Sequence, residues 1–285
     1  MGLQPNIALV SAMDLDRLST EGLHPEAAGL HDRSALEIAR LINAEDAKVA
    51  RAVEGELPRI ASLIDLVAER LAGGGRLFYV GAGTSGRLGV LDASECPPTF
   101  GVEPEMVQGI IAGGEQALVR SVEGAEDDAE AAARELQARG CREKDIVIGI
   151  SASGRTPYVI GALRWARARG IAAAAIACNR PAEHDAYADV HLNVVVGPEI
   201  VAGSTRMKAG TAQKMVLNMI STAAMIRLGR VRDGRMVHVR ATNVKLRERA
   251  TRMVMDTAGV DRQRAEAALE RAGHNVRAAL DILQE

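Results

Sequence analysis

Short, continuously apolar segments separated by helix-length stretches constrain the fold of this chain more than any other feature. They occur at 77–80, 107–112, 145–150, 171–178 and 190–196. Continuous rather than alternating apolar character is typical of strands that are buried on both faces. Because parallel strands need helical crossovers between them, the pattern predicts an α/β fold, a three-layer sandwich around a central parallel sheet.

The chain changes character after residue 250. In residues 251–285 the apolar positions recur at helical spacing in three short groups, with Gly259 and Gly273 between the groups. Glycine is the usual residue just beyond a helix end. We therefore predict two units: residues 1–250, an α/β domain with a helical N-terminal arm, and residues 251–285, a small three-helix, UBA-like bundle.

The bulk properties argue against several kinds of partner. The formal net charge is -2 and aromatic residues make up 2% of the chain, so neither a charged field nor base stacking favours nucleic acid. No apolar run is long enough for a membrane span, and the start has no signal-peptide pattern. Cys96, Cys141 and Cys178 lie far apart with no metal-ligand spacing. We expect a cytoplasmic protein with neither a zinc site nor a disulfide framework.

Two loops rich in glycine and hydroxyl residues, 81–86 and 151–156, each follow a predicted strand and precede a helix. Glycine lets the backbone approach an anion, hydroxyls donate hydrogen bonds, and a helix N-terminus favours negative charge. Ligands of parallel sheets bind beyond the carboxyl ends of the strands. The candidate phosphate-binding residues are Gly83, Thr84, Ser85, Ser151, Ser153, Gly154 and Thr156.

Other functions of these loops compete with phosphate binding. The spacing of Gly81, Gly83 and Gly86 matches a dinucleotide fingerprint, which expects an acidic residue about 20 positions later at the end of the next strand. Here the next predicted strand ends at Gly113-Gly114-Glu115, well past that distance. No Gly-Lys-Ser/Thr follows, which excludes a Walker loop. Glycine-rich turns also serve tight packing alone. A helix cap would explain Thr156, but it would leave Ser151 and the other loop hydroxyls unexplained.

The paired motifs Gly83-Thr84-Ser85 and Ser151-x-Ser153-Gly154-x-Thr156 resemble the signature of sugar isomerase (SIS) domains. Within that superfamily, the stretches 81–99, 123–127 and 203–214 resemble N-acetylmuramic acid 6-phosphate etherases. The resemblance covers most of the chain, and the segment Ala-Ser-Glu-Cys-Pro-Pro within 81–99 is its most specific part.

The resemblance implies a carbon–oxygen lyase of amino-sugar catabolism and peptidoglycan recycling. Such an enzyme cleaves the D-lactyl ether of its phosphosugar substrate, giving N-acetylglucosamine 6-phosphate and D-lactate without a cofactor. The family pattern implies that Glu95 is the acid and Glu126 the base. In the ring-opened sugar, a base can remove the C2 proton beside the aldehyde, lactate leaves from C3 as an acid protonates its oxygen, and water then adds.

The two carboxylates have different local settings. Glu95 precedes Pro97 and Pro98, and proline predicts that the helix ends just before this glutamate. We expect its carboxyl among apolar neighbours, where burial favours the protonated form. Glu126 lies at the start of a helix predicted for residues 125–139, so capping that helix is an alternative function for Glu126 and Asp127.

Further polar residues have weaker signals. Residues 205–228 predict a long helix that is apolar on nearly all sides and therefore buried. Arg206 and Lys208, at its start, could bind the lactyl carboxylate or the phosphate, or simply pair with acids. The segment Thr20–His24 could reach the site of a neighbouring subunit. The large apolar helices predict a homodimer. His184 and His191 have no spacing that suggests a shared site and are interpreted as structural or surface residues.

Two other functions share this fold. A non-catalytic phosphosugar sensor that regulates a partner protein would need neither Glu95 nor Glu126. An aldose–ketose isomerase would share the C2 deprotonation but would need no acid at the C3 oxygen. Glu95 therefore discriminates between the three hypotheses.

Overall fold

A computed structural model describes residues 18–236 and 244–284. Its centre is a five-stranded sheet in which all neighbouring strands are parallel, in the order β2-β1-β3-β4-β5, as the apolar segments predicted. A short antiparallel hairpin, β6 with β7, follows the domain. The strands are β1 Leu77–Gly81, β2 Val107–Ile111, β3 Ile146–Ile150, β4 Ala172–Ala177, β5 Val190–Asn193, β6 Val231–Arg232 and β7 Arg235–Met236.

Helices cover both faces of the sheet. Alternate residues of a strand point to opposite faces, so Leu77 and Tyr79 pack with α2, α3, α4 and α8, while Phe78 and Val80 pack with α6 and α7. The helices are α1 Ala35–Asp46, α2 Val49–Glu54, α3 Leu57–Ala72, α4 Gly83–Phe100, α5 Gln116–Val119, α6 Ala131–Ala138, α7 Pro157–Arg167, α8 Lys208–Arg227, α9 Val244–Ala258, α10 Arg262–Arg271 and α11 Val276–Gln284. This is the predicted three-layer sandwich.

The register of the sheet decides which loops meet. Gly81, the last residue of β1, pairs with Ile111 of β2 on one side and with Ile150 of β3 on the other. The loops that follow β1 and β3 therefore leave the carboxyl edge of the sheet side by side. The chain after β2 leaves on the opposite side of β1.

Helix α4 is longer than predicted. It continues through Pro97 and Pro98 to Phe100, so the prediction that proline ends it before Glu95 was wrong. Proline removes only its own N–H, and the bond from the Gly101 N–H to the Pro97 carbonyl, at 3.0 Å, continues the ladder. Glu95 is consequently a mid-helix residue with an exposed side chain.

Helix α8 is buried on one side only. Val216, Leu217 and Ile220 face the core, whereas Lys214 and Thr222 are exposed, so the prediction of a helix buried all round was wrong. Its N-terminus is held by the buried carboxylate of Glu199, which accepts hydrogen bonds from the N–H groups of Lys208 at 3.1 Å and Ala209 at 2.9 Å. An acidic group at this end also complements the helix dipole.

The C-terminal helices α9, α10 and α11 share an apolar cluster of their own, which includes Ala250, Val254, Leu269 and Leu280. Helix α9 begins at Val244, so the domain boundary predicted after residue 250 falls inside this helix. Helical folding thus begins earlier than predicted, and the division into two domains stays a prediction. Residues 1–17 of the predicted N-terminal arm lie outside the described residues. Within the described ranges, no helix is long and apolar enough to cross a membrane.

Candidate active site

Three hydroxyl groups converge in the loop between β3 and α7. The Ser151 Oγ lies 2.8 Å from the Thr156 Oγ1 and 3.3 Å from the Ser153 Oγ. The N–H of Gly154 donates to the Ser151 Oγ at 3.1 Å. Because Gly154 has a φ of 72° and an added Cβ would lie 2.4 Å from the Cβ of Ala182, only glycine fits there.

Thr156 occupies the N-cap position of α7, but its side chain makes no capping hydrogen bond. Its hydroxyl is directed to Ser151 instead. The side chain of Thr156 therefore does not cap α7. The three hydroxyls and the N-terminus of an 11-residue helix together form a set of donors suited to an oxyanion.

The glycines of the loop after β1 have different functions. A Cβ on Gly81 would lie 2.7 Å from the Gly86 nitrogen, and one on Gly86 would lie 2.6 Å from the Ile111 Cγ1. These two glycines therefore serve the packing of α4 on the sheet. Gly83 is exposed, has a φ of 52° and has no atom within 4 Å of an added Cβ, so its backbone is open to a ligand.

Thr84 and Ser85 both face helix α8. The Ser85 hydroxyl is buried and donates to the Gln213 Oε1 at 2.9 Å, which ties α4 to α8. The Cγ2 of Thr84 lies 3.3 Å from the position of an added Cβ on Gly210. Of the three residues predicted here, Gly83 has the most open position, and phosphate binding by this loop stays a prediction.

Glu126 lines a cavity of about 240 Å³ at the carboxyl ends of β1 and β2. It lies in a 3-10 turn, Ala125–Asp127, and its side chain is exposed. Helix α6 begins later than predicted, at Ala131, and just before it Asp128 accepts from the N–H groups of Glu130 and Ala131, each at 3.0 Å. Capping therefore does not occupy Glu126, whose carboxylate is free to act in the cavity.

Glu95 lies far from that cavity along the same chain. It is twelve residues beyond Gly83 in α4, about 18 Å at a rise of about 1.5 Å per residue. It lines a separate surface pocket of about 380 Å³ with Asp92, Lys214 and Asn218. A single chain thus does not bring the two predicted catalytic carboxylates into one pocket, and the burial expected for Glu95 is absent.

The two candidate cations near α8 have different environments. Lys208 is 2% exposed, and its Nζ lies 2.7 Å from the Oε2 of Glu45, with which it forms a buried ion pair. Lys48 and His24 pair with the same carboxylate. The predicted contact of Lys208 with substrate therefore has no support in this geometry. Arg206 is exposed in the turn that precedes α8.

The N-terminal arm packs on its own chain, at the same edge of the sheet as the loops. Thr20 is fully buried, and its Oγ1 accepts from the Asn179 Nδ2 at 3.0 Å. The same Nδ2 donates to the Ala152 carbonyl at 2.9 Å, just after β3. The sequence suggested that this arm could reach the site of a neighbouring subunit. In the structure, Asn179 connects it to the Ser151–Thr156 loop of its own chain.

Sequence reasoning missed Arg87 and Asp92, although both lie within the recognised stretch 81–99. Arg87 lines the cavity of Glu126. Asp92 is buried below Glu95, where burial raises the pKa of its carboxyl, and its Oδ1 accepts from Asn218 at 2.7 Å and Ser221 at 3.1 Å. The motif match was a usable signal, but the hydrogen-bond partners of these residues lie 31 positions away for Arg87 and 126 and 129 positions away for Asp92.

Metal ligation and thiol chemistry have no visible basis in the described ranges. Residues 18–236 and 244–284 contain no group of three or more His, Cys, Asp or Glu placed to hold a metal ion. Cys96, Cys141 and Cys178 are free, and burial raises the pKa of each thiol to about 12. Such thiols are poor nucleophiles at neutral pH.

The sandwich, with hydroxyl-bearing loops at neighbouring strand ends, defines a protein of the SIS-domain class. The glucokinase regulatory protein N-terminal SIS domain matches residues 59–167, and the SIS domain matches residues 124–223. Two phosphoheptose isomerases share the fold. The Neisseria gonorrhoeae structure gives a TM-score of 0.51 at 19% identity over 67% of this chain and 98% of its own. The Francisella tularensis structure gives a TM-score of 0.51 at 17% identity, over 68% of this chain and 98% of its own.

Curated relatives narrow the class. The N-acetylmuramic acid 6-phosphate etherase of Symbiobacterium thermophilum is 57% identical over 95% of this chain and 90% of its own length. The etherase of Serratia proteamaculans is 54% identical over 94% of this chain and 90% of its own length. The etherase of Streptomyces avermitilis is 53% identical over 94% of this chain and 86% of its own length. The chain belongs to the N-acetylmuramic acid 6-phosphate etherase family.

Proposed function

We propose that this chain cleaves the D-lactyl ether of N-acetylmuramic acid 6-phosphate, giving N-acetylglucosamine 6-phosphate and D-lactate. The observation that carries the proposal is the juxtaposition, at one edge of the sheet, of the Ser151–Thr156 hydroxyls and the cavity of Glu126. The first can hold the phosphate and the second supplies a base. Identities of 53–57% to curated etherases support the same reaction.

The reaction proceeds by elimination and addition. Glu126 removes the C2 proton of the ring-opened sugar, and the electrons of that bond form the C2–C3 double bond as the C3–O bond breaks. The departing lactate oxygen takes a proton from Glu95. Water then adds at C3 of the unsaturated aldehyde, and a proton returns to C2. The carboxylates need opposite protonation states at the start, which requires different environments.

A homodimer would supply the environment that Glu95 lacks in one chain. Its pocket adjoins an open apolar groove of about 690 Å³ between α3 and α8, and Lys214, Asn218 and Thr222 line both. Leu57 of α3, Leu91 of α4 and Ile226 of α8 are 44%, 48% and 49% exposed around this surface. We propose that a second copy covers this surface and that Glu95 of one copy completes the site of the other, where contact with the partner desolvates it.

The cellular setting follows from the substrate. A phosphorylated fragment of peptidoglycan arises where sugars are taken up and phosphorylated, so we propose a cytoplasmic enzyme of peptidoglycan recycling. Three free cysteines, of which Cys96 and Cys178 are buried, fit a reducing compartment. The second candidate function, a non-catalytic phosphosugar sensor, is favoured by the match of residues 59–167 to a regulatory protein's domain.

The first test measures D-lactate release from N-acetylmuramic acid 6-phosphate without added metal, with the unphosphorylated sugar as control. We expect release from the phosphorylated sugar only. The Glu95→Gln variant should still exchange the C2 proton with solvent while its lactate release falls about 100-fold or more, a typical loss for a general acid. Glu69→Gln, an exposed glutamate on α3, is the matched control.

Each alternative predicts a different outcome. Binding of the phosphosugar with no lactate release by the unaltered protein would favour the sensor. Unreduced lactate release by the Glu95→Gln variant would contradict the role of Glu95 as the acid, while leaving the etherase reaction standing.

A further inference from the structure

Arg87 is placed at the site in a way that neither the reaction scheme nor the candidate phosphate loops explain. It lies in the second turn of α4 and lines the same cavity of about 240 Å³ as Gly83, Glu123 and Glu126. Among the described residues, it is the cavity's only lining cation. Typical pockets for a whole small ligand are about 300 Å³ or more, so this cavity suits one end of a ligand.

The guanidinium of Arg87 is held but not neutralised. Its Nε donates to the Leu118 carbonyl at 3.2 Å, which fixes the plane of the group. Across residues 18–236 and 244–284, its two terminal nitrogens have no hydrogen-bond or ion-pair partner, and the side chain is half-buried. Two adjacent N–H donors in a fixed plane match the two oxygens of a carboxylate.

The proposed substrate carries two anions, a phosphate on C6 and the carboxylate of the lactyl group on C3. The Ser151–Thr156 hydroxyls follow β3, whereas the cavity of Arg87 lies at the ends of β1 and β2. The centres of β3 and β2 are about 10 Å apart, two strand spacings. A phosphosugar with its phosphate at the first position therefore extends its C2–C3 end toward the second.

Glu126 and Arg87 share this cavity, and C2 and C3 of the sugar are adjacent atoms. A base that reaches the C2 proton therefore brings the C3 substituent into the same cavity. Resting on the proposed function, we propose that Arg87 binds the carboxylate of the lactyl ether and selects sugars that carry it over N-acetylglucosamine 6-phosphate, which has the phosphate alone. Arg87 takes no part in the proton transfers.

The other candidate cations fit this function less well. Lys208 is paired with Glu45 in the interior. Arg206 is exposed and lines none of the pockets that hold Glu95 or Glu126. Glu123 and Glu126 carry negative charge beside Arg87, yet neither lies within ion-pair distance of it. Among the described residues, the guanidinium of Arg87 therefore has no carboxylate partner and stays available to a ligand.

The test compares ligands that differ only at C3. In a Glu95→Gln background, which should retain the substrate without releasing lactate, we would measure binding of three ligands by calorimetry. They are N-acetylmuramic acid 6-phosphate, its lactyl carboxamide analogue and N-acetylglucosamine 6-phosphate. Arg87→Gln should weaken binding of the first about 100-fold and change the other two less than about threefold, because only the first offers a carboxylate. Arg87→Lys, which keeps the charge without the planar pair of donors, should lose about tenfold.

Arg120→Gln is the matched control, since Arg120 is exposed just before the lining segment and has no part in the cavity. Unchanged binding of N-acetylglucosamine 6-phosphate also serves as the folding control for each variant. Equal weakening of all three ligands would overturn the proposal and assign Arg87 to the phosphate or to the fold. Because binding is measured without turnover, a protein that binds but never releases lactate would contradict the proposed reaction without affecting this comparison.

Discussion

At the scale of single residues, the acidic side chains divide into those that hold the structure and those left free for chemistry. Glu45 and Glu199 are buried and fully engaged, the first by Lys208, Lys48 and His24 and the second by the start of α8. Glu95 and Glu126 are exposed and have no ion pair in the described residues. A carboxylate that serves as acid or base needs this freedom, because its proton must be exchanged with substrate.

The buried cluster makes stability depend on pH. Burial acts to raise the pKa of Glu45, but hydrogen bonds from Lys208, Lys48 and His24, together with the charge of Lys208, outweigh it and lower the pKa to about 2. A lowered pKa contributes stability above the unfolded value of about 4.5, and this contribution is lost as pH falls toward about 2. Glu45→Gln should therefore cost about 3 kcal/mol at pH 7, since Lys208 is left buried and unpaired.

Urea unfolding of both proteins between pH 7 and pH 2.5 or so would check this, with Glu54→Gln, an exposed residue of α2, as control. The gap between the unaltered protein and Glu45→Gln should narrow below about pH 4.5. If the difference in free energy of unfolding between the two proteins stayed constant over that range, the charge of Glu45 would not be what stabilises the fold.

At the scale of elements, α4 does more than any other helix to place the site. Its first turn carries Gly83, its second carries Arg87, and its fourth carries Glu95. It approaches the sheet closely because glycines face it, and a Cβ on Gly109 of β2 would lie 2.5 Å from the Cα of Val90. Backbone atoms cannot yield as a flexible side chain does, so this contact fixes the distance between helix and strand.

Gly109→Ala should push α4 away from β2 and lower the free energy of unfolding by about 2–3 kcal/mol, as overpacking typically does. Urea unfolding is the measurement. Gly55→Ala is the control, because an added Cβ there meets only the Ala52 carbonyl at 3.5 Å. A variant as stable as the original protein would mean that α4 shifts without cost, contrary to the rigid contact inferred here.

At the scale of the whole molecule, the distance between Glu95 and the cavity of Glu126 is the observation behind the proposed dimer. If two copies share each site, inactive Glu95→Gln and Glu126→Gln chains should complement each other. When the two variants are coexpressed in equal amounts, about half of the dimers contain one chain of each kind. Each mixed dimer has one intact site of two, so lactate release should recover to about a quarter of the unaltered level.

Differently tagged chains would allow the mixed dimer to be isolated and assayed alone, where one site in two should work. Each parental variant alone provides the baseline. Mixed dimers no more active than the parental variants would show that each chain supplies its own acid, and the dimer proposal for Glu95 would have to be abandoned.

The local pattern of the sequence determined the strands, the loops that follow β1 and β3, and the motif residues within them. These features depend on spacing along a few consecutive residues, which burial and turn chemistry restrict strongly. The same short-range rules predicted that α4 ends before Glu95 because Pro97 and Pro98 follow, but packing against α8 and the sheet outweighs this local helix-breaking preference.

Only the tertiary structure decided which partners the polar side chains find. Lys208 meets Glu45, 163 positions away in sequence, and Ser85 meets Gln213, 128 positions away. Arg87 meets the cavity of Glu126 because β1 and β2 lie side by side. Such contacts depend on how whole elements pack, and no spacing within one element contains that information.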